Sequence, residues 1–69
     1  AAVVRATASA REALAAGATD QRLAIARSEL EIALVDGGDS LEVEARREGH
    51  ETLRELRDAP HARRVGHHV

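Results

Sequence analysis

Four histidines, His50, His61, His67 and His68, carry most of the chemical reach of this chain. Imidazole ligates zinc, nickel or copper, so three of them close together near the C-terminus, with His50 upstream, raise a metal site. The spacing opposes it. Adjacent His67 and His68 point in different directions on a helix, and no carboxylate stands near them to complete a tetrahedral set or orient the rings. A solvated or partner-contacting tail is the simpler reading, and no metal ligands are expected. His50, between Glu48 and Glu51, has the residue types for proton transfer. A helix crowded with exposed charge gives it neither burial nor a water-excluding pocket. There is no cysteine, and Ser9, Ser28 and Ser40 stand in no nucleophile-elbow motif. Gly37-Gly38, flanked by Asp36 and Asp39, lacks the glycine spacing and the lysine of a phosphate loop. The chain therefore reads as non-enzymatic, with no cofactor and no small-molecule substrate.

Arginine is the other reactive group. All ten basic residues are Arg, and Arg46, Arg47, Arg54, Arg57, Arg63 and Arg64 crowd the last third, where they could meet phosphates or carboxylates bidentately. Interleaved acids cancel most of that field: the formal net charge is −2 with neutral histidines, and no aromatic residue offers a stacking platform for single strands. Nucleic acid is not the expected partner. Absence of Lys and Asn beside abundant Ala, Arg and Gly is also the composition a GC-rich genome produces, which explains the arginines without invoking guanidinium chemistry.

These residues sit on a pattern of helices. Residues 1–16 are Ala-rich with Leu, Arg and Glu, and they stop at Gly17, suited to the left-handed turn that ends a helix. The apolar stripe there is weak: Val3, Thr7, Ala10 and Leu14, with Val4, Ala8 and Ala15 alongside. Thr19 or Asp20 caps a second helix, 20–35, whose period is clear. Leu23, Ala26, Leu30, Ala33 and Leu34 recur at three and four, and Ile25 and Ile32 add a second flank one heptad apart, so the apolar arc is wide and suits more than one neighbour. Asp36, Gly37 and Gly38 end it. Asp39 followed three residues on by Glu42 fits a capping box for a third helix, 40–59. Its narrow stripe runs through Leu41, Ala45, Gly49, Leu53, Leu56 and Ala59 as far as Pro60. Its charges fall into Glu42–Arg46, Arg54–Asp58, Glu44–Arg47 and Glu51–Arg54 pairs. Alternation of Leu41, Val43 and Ala45 with charged residues also fits a half-buried strand, but an isolated hairpin would not stand in water. Gly49, a mid-helix residue that costs about 1 kcal/mol relative to Ala, implies a close helix crossing or a kink.

The expectation is an all-α fold of three consecutive helices in one domain, 1–59, followed by a short turn or tail, 60–69. Whether it closes alone is a question of volume. A chain of 69 residues buries only about 60% of its unfolded surface. Half of its hydrophobic residues are Ala, and without Cys no disulfide can staple it. Self-association or docking to a protein partner is therefore expected, through Leu23, Ile25, Leu30, Ile32, Leu34, Leu41, Gly49, Leu53 and Leu56. A small antitoxin-like or DNA-associated regulator, or an accessory protein carrying metal on its histidine tail, are the alternatives. No apolar run approaches the ~20 residues of a membrane span and no signal-peptide pattern is present, so a cytoplasmic setting is expected. No Met begins the chain: either an initiator was removed ahead of Ala1 or the chain is a piece of something longer.

Overall fold

A computed structural model describes residues 2–38 and 41–67, with side chains through Ala59. It consists of three α-helices, α1 (Ala2–Ala15), α2 (Asp20–Gly37) and α3 (Val43–His67), each packed against the other two. No strand occurs among the described residues, so the alternating Leu41, Val43 and Ala45 belong to a turn and a helix start.

The first turn follows from glycine and threonine. Gly17 takes φ 65°, which lets its N–H reach the Leu14 carbonyl at 3.2 Å and the Ala18 N–H reach the Ala13 carbonyl at 3.1 Å. These two bonds satisfy carbonyls that a bare helix end would leave open. Two residues later the Thr19 hydroxyl accepts the Arg22 N–H at 3.2 Å, so α2 opens on its cap with Asp20 in the first turn. The α1–α2 hairpin is thus specified almost residue by residue.

The second turn is built differently from its expected form. Helix α3 starts at Val43, and Asp39, the expected cap, lies outside the described residues. Leu41 lies in the turn, not on α3, and its side chain covers Gly37 so closely that a Cβ there would collide with it. Arg46 reaches back across the turn to donate to the Gly38 carbonyl at 3.1 Å. Helix α3 also continues past Pro60 to His67, where a turn or tail was expected. Proline withholds its amide from the Leu56 carbonyl and its ring disfavours the preceding turn, yet the backbone remains helical to His67. At 1.5 Å per residue, α3 is about 37 Å long and α2 about 27 Å, which accounts for an envelope of 44 × 17 × 16 Å.

Leu23, Ala26, Leu30, Ala10, Ala13, Leu53 and Leu56 form the core cluster, with Val3, Ala33 and Thr7 also buried. Leu14, Leu34, Ala6, Ala18 and Ala59 pack against its edge. Alanine supplies most of the α1 contribution, so the helices close on little side-chain volume. Gly49 is buried at the meeting of all three helices. A Cβ added there would stand 2.9 Å from Leu34 Cδ2 and 3.6 Å from Thr7 Oγ1, so the glycine serves a close crossing inside one chain. Thr52, one turn further on, is fully buried on the same face of α3. Neither Thr7 nor Thr52 has a hydrogen-bond partner for its hydroxyl among the described residues.

Candidate interaction surface

The core consumes only part of α2. Leu23 and Leu30 point inward, and the wide apolar arc carries Ile25 and Ile32 round to the opposite side, where they are 48% and 61% exposed. Val35, three residues after Ile32, is 79% exposed. Both isoleucines of the chain therefore face solvent, although fully burying such a side chain is worth about 1.5–3 kcal/mol. With α1 and α3 packed against the leucine side, no element of the described chain is left to cover them.

Beside this stripe, α1 and α2 leave a shallow groove of about 400 Å³. Ala2, Arg5, Ala6 and Ser9 form its α1 wall, and Glu29, Ile32, Ala33 and Asp36 its α2 wall. Small residues on the α1 wall keep it open, and Ile32 is shared between groove and stripe. A second, smaller concavity on α2 is lined by Glu31, Ile32, Val35 and Asp36. Charge marks the two ends of the stripe: Arg22 lies before Ile25 and Asp36 follows Val35. Both are exposed, and neither side chain enters an ion pair among the described residues.

The nine contact residues expected from sequence thus divide. Leu23, Leu30, Gly49, Leu53 and Leu56 are buried against other helices of the same chain, Leu34 and Leu41 are half-buried, and only Ile25 and Ile32 are free to meet another molecule. The division has a simple cause. Sequence period groups residues by face but does not say which face the chain's own helices will cover. Val35, together with exposed Val4 and Val43, was not among the expected contacts. Its spacing from Ile25 and Ile32 was the available signal. Thr52 was missed as a core residue because its polarity hid its place three residues after Gly49.

Apart from Val4 and Val43, the rest of the described surface is largely charged and solvated. Of the expected α3 pairs, Glu44–Arg47 comes to 4.0 Å, while Arg46 turns to Gly38 instead of Glu42. Arg57 crosses to α2 and meets Glu31 at 3.1 Å, with both side chains well exposed. Such a pair contributes at most a few tenths of a kcal/mol but ties α3 to α2 in one orientation. His50, Glu48 and Glu51 are all exposed, and no three acids or histidines gather into a metal-holding group among the described residues. The side chains of His61, His67 and His68 lie outside the described residues. No described helix is long and apolar enough to cross a membrane. No family model matches the chain, and neither does a curated protein or a solved structure.

Proposed function

We propose that this chain is a non-enzymatic helical interaction subunit, which assembles with a protein partner or with itself through the outward face of α2. The observation that carries the reading is the exposed Ile25–Ile32–Val35 stripe. Both isoleucines of the chain stay about half exposed or more, so each forgoes part of a burial worth about 1.5–3 kcal/mol. Ile32 and Val35 share one concavity and Ile25 stands two turns before them on the same face, beside a groove and edged by charged residues, the composition of a contact site.

The test is co-isolation from the cells that make the protein. A tagged chain is expected to retain another protein or, where the partner is a second copy, to associate with it in concentrated solution, and Ile25→Glu/Ile32→Glu is expected to lose that association while keeping its helical circular dichroism. Retention of the same partners by the double variant would overturn the reading.

A further inference from the structure

If the outward face of α2 is a contact site, its residues also constrain what kind of molecule it meets. Resting on that reading, we propose that the partner is a second copy of this chain, bound antiparallel along α2 about a two-fold axis beside Ser28 and Glu29.

On an α-helix, Ile25, Ile32 and Asp36 fall within about 40° of one another, with Glu29 and Arg22 on one flank and Val35 on the other. An antiparallel pairing that seats Ile25 on Ile32 of the second copy brings Arg22 beside Asp36 of that copy on the shared flank. Symmetry repeats the set at the other end. One helix face therefore supplies both halves of two apolar contacts and two opposite-charge contacts. The charges in question, Arg22 and Asp36, are exposed and enter no ion pair among the described residues, so they are available for it. A parallel pairing would set Arg22 on Arg22 and Asp36 on Asp36 and would align the two helix dipoles, so the charge pattern selects the antiparallel register.

One contact works against the pair. Glu29 lies near the axis and faces its own copy, with Arg5 of the same chain lining the adjoining groove wall. The stripe is also short, about 17 Å from Ile25 to Asp36, which places the buried area below that of a standard stable interface. The dimer is accordingly weak, with a dissociation constant roughly in the micromolar to millimolar range.

The experiment is sedimentation equilibrium of the native chain and five variants up to about 1 mM, the upper end of that range, with circular dichroism on each sample. The native mass should rise from one chain toward two. Ile32→Glu should raise the dissociation constant at least about tenfold, and Arg22→Glu and Asp36→Arg about three- to tenfold each. The combined Arg22→Glu/Asp36→Arg chain should return to within about twofold of native, and Glu29→Gln should tighten the pair about twofold. The swap places an acid near the start of α2 and a base near its end, the arrangement the helix dipole favours, so loss of helix would not mimic loss of pairing. A native chain that stays at one-chain mass throughout, or a double swap that fails to recover, overturns the proposal. If the native chain is a monomer yet retains a foreign protein that Ile25→Glu/Ile32→Glu loses, self-pairing falls and the wider reading stands. If neither association occurs, both fall.

Discussion

Leu23 and Leu30 on one side of α2, and Ile25 and Ile32 on the other, are two pairs of similar volume and identical spacing on the same 18-residue helix. The leucines are essentially inaccessible, and the isoleucines are about half exposed or more. Hydrophobicity does not separate them; the placement of the neighbouring helices does. Helices α1 and α3 approach α2 along the Ala26–Leu30–Ala33–Leu34 side, where alanines and Gly49 permit close contact. Among the described residues, α1 and α3 cover one side of α2 only. An apolar arc wider than its neighbours thus becomes part core and part surface.

Substitutions on the two sides put that contrast at risk. The largest effect is expected at Leu30, which is 0% exposed: Leu30→Ala should cost about 2–5 kcal/mol. A domain of this size rarely has more than about 3–5 kcal/mol in total, so the variant should be largely unfolded by circular dichroism at room temperature. Gly49→Leu comes next, since overpacking against Leu34 and Thr7 should cost about 1–3 kcal/mol in urea unfolding. Thr52→Val should act with the opposite sign. It removes a buried hydroxyl that has no partner among the described residues, and a gain of about 1 kcal/mol is expected in the same assay. Destabilisation by that variant would mean the hydroxyl is satisfied in solution. The smallest effect belongs to Ile32→Ala, which at dilutions where one copy stands alone should change stability by no more than about 0.5 kcal/mol. A cost like that of Leu30 would erase the distinction between the two faces.

Much of this fold could be read from residue types. Gly17, Thr19 and Gly38 mark the ends of α1 and α2 because each does a job at the backbone that few other residues can do. The third helix was less legible at both ends. Its start depends on Leu41 folding over Gly37 and Arg46 reaching Gly38, contacts between residues whose types announce nothing. Its far end passes Pro60, a residue that usually ends or kinks a helix and here does not end it. Gly49 stood out in sequence as the mark of a close crossing or a kink, and it lies at a crossing inside the chain. The candidate surface was half legible: Ile25 and Ile32 were visible as a flank, but spacing gives the angle between faces and not the identity of what covers each. Val35 escaped because it lies at the helix end and completes the stripe only once the leucine side is known to be taken.

The two-faced account of α2 is tested most directly by two matched double variants, Leu23→Glu/Leu30→Glu and Ile25→Glu/Ile32→Glu, each measured by circular dichroism and sedimentation. The account predicts that the leucine variant loses its helical signal, while the isoleucine variant keeps it and sediments as a single chain at concentrations where the native protein associates. Loss of helix in both variants, or undiminished association of the isoleucine variant, would contradict it.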